Sequence, residues 1–373
     1  MIKRKIENIV LSKLGKRKAI ILTGARQVGK TTLLHRLFSQ KDETLWLNGD
    51  EIEVQMLFEN ISAKRLQSII GSKKTVIIDE AQRIADVGLR LKLITDQIPD
   101  VQLIATGSSS FDLLNKVNEP LTGRKWEYRM FPLSFGEMVD YHGFLDEKRM
   151  LPHRLLYGYY PNVVTGIGEG KELLKQLTES YLYKDLLMWE QVKKPDKLIK
   201  LLQALAYQVG SQVSYTELGQ MCGLDYKTVE KYILLLEQCF VIFRLGSFSR
   251  NLRNELKNNR KIYFYDNGVR NALIADFRSI ELRNDIGVLW ENFLISERKK
   301  KLHYDNIWAN VYFWRTQTQK EIDYVEDSDG VLSAYEFKWN PDAKVKQPTV
   351  FLDAYPNSVF KVIHRDNFDE FLL

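Results

Sequence analysis

The sequence predicts an α/β protein: a parallel sheet layered with helices, then a helical middle, then a β-rich tail. Three observations carry this. Short apolar runs at 19–22, 44–47, 75–78 and 101–105 alternate with helical patterns at 31–38, 57–70 and 88–97, as strands and crossover helices do. From about 141 to 241 leucines recur at i, i+3 and i+4, which is helical periodicity. After Phe240 strand-like patterns return, interrupted by one strong helix at 287–298. The expected domains are 1–140, 141–260 and 261–373.

Composition agrees with this reading. At roughly 150 residues per domain, 373 residues suggest two to three domains. Hydrophobic residues at 45% and charged residues at 27% are ordinary for a soluble globular chain. The 2 cysteines, Cys222 and Cys239, exclude a secreted disulfide scaffold and point to a reducing cytoplasm. No apolar run approaches the roughly 18 residues of a membrane span, so no membrane partner is expected. Charges at Glu7, Lys13, Lys16 and Arg17 interrupt any signal-peptide core after the basic start. A net charge of +6 permits a nucleic-acid partner without arguing for one.

The first helix is expected over 2–14, with Ile2, Ile6, Ile9 and Val10 on one side and Lys3, Arg4 and Glu7 between them. The strand at 19–22 then runs into Gly24-Ala25-Arg26-Gln27-Val28-Gly29-Lys30-Thr31, which fits G-x-x-x-x-G-K-[ST] between a strand and a helix. Such a loop wraps backbone N–H groups around phosphate oxygens at a helix N-terminus. Residues 24–31 with Thr32 are therefore the candidate cradle for ATP. Lys30 would reach the β- and γ-phosphates, and the Thr31 hydroxyl would ligate Mg²⁺. The run Thr75-Val76-Ile77-Ile78-Asp79-Glu80 ends a buried strand in two carboxylates. Asp79 would hold Mg²⁺, and Glu80 would orient and polarise the attacking water. Thr106 or Ser108, after the next strand, is the candidate γ-phosphate sensor. Arg124 or Arg129 is the candidate transition-state cation. His35 reads as a packing residue.

The middle region reads as helix-turn-helix. One helix closes at Gly223, Asp225 caps the next, and Val229, Ile233 and Leu236 face inward. Tyr226, Lys227, Glu230 and Lys231 are left outside. Strands at 241–245 and 261–264 would form a wing hairpin. Between them Arg244, Arg250, Arg253, Lys257, Arg260 and Lys261 make a phosphate-contacting patch. Winged helices also serve as protein-docking modules, and Glu230 counts against DNA readout. DNA and a protein are both candidate partners.

The tail carries a hairpin pattern around 327–330. Pairing Asp327 with Gly330 sets Glu321 across from Glu336. Alternation then puts Ile322, Tyr324, Tyr335 and Phe337 on an apolar face and Glu321, Asp323, Glu336 and Lys338 on the other. Carboxylates with a lysine suit Mg²⁺ at Asp323 and Glu336 and water activation for phosphodiester cleavage. A solvated face with Glu–Lys pairs across strands would look the same.

Taken together, the segments 24–31, 77–83, 106–109, 123–124, 132–137, 157–164 and 287–293 resemble the prokaryotic AAA-type ATPases joined to a C-terminal domain of unknown function. The resemblance runs the whole length. It implies a P-loop AAA-like ATPase core, a helical and winged-helix middle, and a restriction-endonuclease-like α/β tail. Asp323 with Glu336-x-Lys338 resembles the D…(D/E)-x-K signature of such tails, and Glu291 matches the acidic helix position before it. Two functions are expected from this: an ATPase coupled to a nuclease-like module, or a nucleotide-dependent switch whose tail binds a protein and cuts nothing. Glu80 and the extra domains disfavour a small-molecule kinase. An arginine acting in trans would imply an oligomer, whereas Arg124 is a candidate to act within its own chain.

Overall fold

The protein is described by a computed structural model covering residues 2–38, 42–108, 117–118, 120–166, 168–187, 192, 194–249, 260–316 and 318–373. The chain forms two compact units.

The first unit comprises Met1–Leu133 with Gln238–Phe240. Its sheet has strands β1 (Ala19–Thr23), β2 (Thr44–Asn48), β3 (Thr75–Asp79), β4 (Gln102–Gly107) and β5 (Lys125–Arg129), in the order β2-β3-β4-β1-β5. All four pairings are parallel. The apolar runs of β1, β3 and β4 are buried on both faces, as central strands of a covered parallel sheet are. Ala19, Ile21, Val76, Ile78, Leu103 and Ala105 pack with Phe58, Leu66, Leu91 and Ile94 from the helices. Parallel pairing puts the C-terminal ends of all five strands at one edge, where Thr23, Asn48, Asp79, Gly107 and Arg129 lie. The strand β5 was not expected. Its Lys-Trp-Glu-Tyr-Arg sequence is a half-buried edge, with the Lys13 and Lys18 ammoniums 4.6 and 4.5 Å from the Trp126 ring.

The second unit comprises Ser134–Glu237 with Val241–Leu373. The helix Phe135–His142 opens with a reciprocal capping box between Ser134 and Glu137. The helix-turn-helix spans Tyr215–Cys222 and Tyr226–Gln238. Gly223 takes φ 65° at its corner, and the Thr228 N–H donates to Asp225 at 3.0 Å. Val229, Ile233 and Leu236 are buried, and Tyr226, Lys227, Glu230 and Lys231 are exposed.

The same unit holds a six-stranded sheet of β6 (Ile242–Ser247), β7 (Arg260–Phe264), β8 (Asn310–Arg315), β9 (Glu321–Ser328), β10 (Val331–Phe337) and β11 (Val359–Ile363). Its order is β11-β10-β9-β8-β6-β7. Here the wing expectation needs correction. β6 and β7 do pair antiparallel, but β6 also pairs parallel with β8, so the hairpin is the edge of the tail sheet. Its buried Ile242, Phe243, Leu245, Ile262, Tyr263 and Phe264 suit a sheet rather than a projecting wing.

The β9–β10 register also differs from expectation. Ser328 pairs with Val331 and Tyr324 with Tyr335, so Glu321 is not across from Glu336; the next step of this register brings Asp323 there. The two-residue turn is Asp329-Gly330, with φ of 52° and 80°. Such a tight turn needs left-handed backbone at both positions, and Asp-Gly supplies it better than Ser-Asp. The single apolar face is corrected too. Tyr312 pairs with Val325 but Trp314 with Ile322, so β9 carries one extra residue between them. That turns Ile322 onto the face of Val325, Leu332, Ala334 and Phe351. Tyr324, Tyr335 and Phe337 instead surround Phe371, at ring distances of 6.0, 4.7 and 5.6 Å. Among the described residues no helix is long and apolar enough to cross a membrane.

Candidate functional site

Residues 24–29 link β1 to the helix Lys30–Phe38 at the C-terminal edge of the first sheet. The loop has no room for a side chain at its first glycine: a Cβ on Gly24 would lie 2.1 Å from the Met130 carbonyl oxygen. Ala25 and Val28 are buried, Arg26 is half-buried, and Gln27 and Thr32 are exposed. The Lys30 ammonium is buried and donates to the carbonyls of Gly24 at 2.8 Å and Ala25 at 2.9 Å. The Thr31 hydroxyl donates to Asp79 Oδ2 at 2.7 Å. Thr106 donates to the other oxygen of Asp79, and its hydroxyl accepts the Glu80 N–H at 3.1 Å. Lys30, Thr31, Asp79, Glu80 and Thr106 are thus brought together.

Glu80 sits in the left-handed region at φ 48°, ψ 41°, a strained conformation of the kind that gathers at functional sites. Gly49 makes this possible, since a Cβ there would meet the Glu80 carbonyl oxygen at 2.4 Å. Two further residues escaped sequence reading. Gln82 Nε2 donates to the Glu80 carboxylate at 2.5 Å and to the Ser108 hydroxyl at 3.2 Å. Its only signal is its place two residues after Glu80. Arg4, expected on a helix surface, is buried and donates to the carbonyls of Val28 and Phe131, each at 2.7 Å. It straps the phosphate loop to the chain after β5.

Arg124 is not brought to the loop. The Ala19 N–H donates to its carbonyl at 2.9 Å, at the start of β1, and its guanidinium pairs with Asp96 at 2.6 Å. With β1 and β5 in parallel register, this end lies about 16 Å from the phosphate loop at ~3.3 Å per residue. An action of Arg124 within its own chain is therefore corrected. Arg129 is the register partner of Thr23, at the loop end, with its guanidinium 5.0 Å from the Phe240 ring. His35 is exposed and stacks on Trp46 at 4.0 Å.

This donor set fits a magnesium nucleotide. The Lys30 ammonium rests on carbonyls that phosphate oxygens can replace. The Thr31 hydroxyl and Asp79 carboxylate are adjacent oxygen ligands of the kind Mg²⁺ prefers.

The second unit gathers a buried ionic cluster. Glu291 comes from the helix Ile286–Tyr304, Asp323 and Glu321 from β9, Glu336 and Lys338 from the end of β10, and Lys261 and Tyr263 from β7. The Lys261 ammonium lies 3.3 Å from Glu291 and 2.5 Å from Glu321. The Tyr263 hydroxyl donates to Glu291 at 2.6 Å, the Phe337 N–H to Asp323 at 2.8 Å, and Lys338 to Glu336 at 2.7 Å. Arg315 also pairs with Glu321, at 3.2 Å. Burial first, then the charge of Asp323, pushes the Glu291 carboxyl up to about 7. Burial likewise raises Asp323 and Glu336. Burial alone would lower Lys261, but Glu291, Asp323 and Glu321 outweigh it and hold the ammonium above its usual range.

Two expectations change here. Lys261 is not part of an exposed basic patch: it is 2% exposed and belongs to this cluster. Arg244 is half-buried on Glu237 at 2.5 Å, and Arg250, Arg253 and Lys257 lie outside the described residues. Second, among the described residues no three Asp, Glu, His or Cys side chains are placed to hold one metal ion. Glu291, Glu321 and Glu336 each face a cation, and Asp323 accepts a backbone N–H. As they stand, Asp323 and Glu336 do not fit the expected Mg²⁺.

Comparison with known proteins finds matches along both units. Residues 16–139 match the AAA domain family; 148–281 and 286–368 match two families described only as domains of unknown function. An uncharacterized protein of Mycobacterium tuberculosis is 24% identical over 86% of this chain and 70% of its own length. One of Methanocaldococcus jannaschii is 21% identical over 88% and 77%. The Walker-type ATPase of Pyrococcus abyssi shares the fold, with TM-score 0.51 at 17% identity over 74% of this chain and 96% of that one. Family match and fold together support an AAA-like, nucleotide-binding ATPase domain at the N-terminus of this α/β protein.

Proposed function

We propose that the protein is a Mg²⁺-dependent ATPase coupled to a nuclease-like, DNA-directed tail. One observation carries the ATPase reading: Lys30, Thr31, Asp79, Glu80 and Thr106 converge at the C-terminal edge of one parallel sheet. Lys30 leaves the carbonyls of Gly24 and Ala25 to meet the β- and γ-phosphates. Thr31 and Asp79 would hold Mg²⁺, which would neutralise charge on the phosphates. Glu80, aimed by Gln82, orients and polarises the attacking water, and Thr106 holds the Asp79 carboxylate and the Glu80 backbone in place. Arg124 can contribute only from a second copy of the chain. The cytoplasm is the proposed location, because Cys222 and Cys239 are buried and unbridged. Steady-state turnover of Lys30→Ala and Glu80→Gln tests the reading. Both lose hydrolysis on it, and unchanged turnover refutes it.

For the tail, the gathering of Glu291, Asp323, Glu336 and Lys338 from separate elements supports a nuclease-like centre, and the exposed Lys227 and Lys231 support a DNA contact. Its carboxylates are already committed to cations and a backbone N–H. That commitment favours the second reading, a nucleotide-dependent switch whose tail binds a protein. Linear, circular and single-stranded DNA, with Mg²⁺ or Mn²⁺ and with or without ATP, separates the two. Cutting that Asp323→Ala abolishes supports the nuclease; no cutting supports the switch.

A further inference from the structure

We propose that Lys261 is the resident cation of the tail's carboxylate cluster and that its ammonium keeps divalent metal ions out. The side chain is 2% exposed, and its ammonium lies 5.4 Å from the Phe313 ring centroid. The same ammonium reaches Glu291 at 3.3 Å and Glu321 at 2.5 Å, on different elements. A lysine is almost never buried so completely without charge partners, and here the partners are two carboxylates of the cluster.

Charge balance sharpens the point. Above about pH 7, where Glu291 is ionised, Glu291, Glu321, Asp323 and Glu336 face three cations, Lys261, Lys338 and Arg315, so the cluster carries one net negative charge. A divalent ion added beside Lys261 would make it net positive in a mostly buried space. The same ion in place of Lys261 would make it neutral. Ammonium and metal are therefore alternatives for one position, since like charges a few ångströms apart repel strongly where water is excluded. The cluster is within reach of solvent, because Glu291, Glu321 and Glu336 are 17%, 27% and 17% exposed. The Tyr263 hydroxyl and the Phe337 N–H hold Glu291 and Asp323 in place by bonds that do not involve Lys261. A neutral side chain of similar length at 261 thus removes the ammonium while both of these bonds remain.

Whether or not the tail cleaves DNA, metal occupancy reads this out. Nucleotide-free, full-length protein is titrated with Mn²⁺, and bound ion is counted by electron paramagnetic resonance. Wild type and Asp323→Asn are expected to bind equal numbers of ions. Lys261→Met is expected to bind one more per chain, and Lys261→Met with Asp323→Asn to lose it. Wild type binding one ion more than Asp323→Asn overturns the proposal, even if Lys261→Met does not fold. A folded Lys261→Met that binds no more than wild type overturns it as well.

Discussion

Replacing Glu291 by Gln will flatten the pH dependence of the protein's stability on the acidic side of neutrality. The carboxyl is pushed from an ordinary value of 4.5 up to about 7, by burial first and by the Asp323 charge second. The folded protein therefore keeps a proton that the unfolded chain releases near pH 4.5. Between these values the folded state binds more protons, so stability falls as pH rises and levels off above about pH 7. At about 1.4 kcal/mol per pH unit, the interval amounts to roughly 3 kcal/mol. Glutamine carries no proton to lose, yet its carbonyl still accepts from the Tyr263 hydroxyl. Denaturant unfolding of both proteins at pH 5 and pH 8 is the assay. The stability difference between variant and parent should shift by up to roughly 3 kcal/mol in favour of the variant at pH 8. Titrations that the two proteins share cancel in that difference. Parallel pH profiles would show that Glu291 ionises as an exposed carboxylate does, which refutes the account of the cluster.

Further outcomes follow from the geometry. Arg4→Met removes two buried hydrogen bonds, one to the phosphate loop at Val28 and one to the chain after β5 at Phe131, which should cost about 2–4 kcal/mol in thermal unfolding and weaken nucleotide binding with it. Gly49→Ala drives a methyl toward the Glu80 carbonyl at 2.4 Å, so turnover should fall more than ATP affinity does; an equal loss of both would mean that Glu80 is not the group displaced. Gly330→Ala forces a left-handed φ of 80° on a residue with a Cβ and should destabilise the tail by about 1 kcal/mol, seen as a lower denaturation midpoint.

The first site was legible because its parts are local. A buried parallel strand reads as an apolar run, and β1 and β3 end at the loop and at Asp79 and Glu80, within a few residues of the pattern that announces them. The strand β5 carries a weak signal: Lys-Trp-Glu-Tyr-Arg alternates charged and aromatic residues, but over five residues only and with no apolar run. Arg4 and Lys261 were misread for one shared reason. Each looks like a surface cation, and each is buried by partners far along the chain: Val28 and Phe131 for Arg4, Glu291 and Glu321 for Lys261. Alternation groups Glu321, Asp323, Glu336 and Lys338 on one face, and the structure gathers them with Glu291, but in another arrangement. The Asp329-Gly330 turn moved the register by two, and an extra residue in β9 turned Ile322 to the other face. A one-residue irregularity leaves no trace in alternation short enough to read.

The central claim is that Lys30 and its neighbours bind a triphosphate. Isothermal titration calorimetry of magnesium ATP into the wild-type protein and into Lys30→Ala tests it most directly. The account predicts one nucleotide per chain for the wild type and an affinity about 10- to 100-fold weaker for the variant, the size of one lost charge-assisted contact. Equal affinity in the two proteins, or no nucleotide heat from folded wild type, contradicts it.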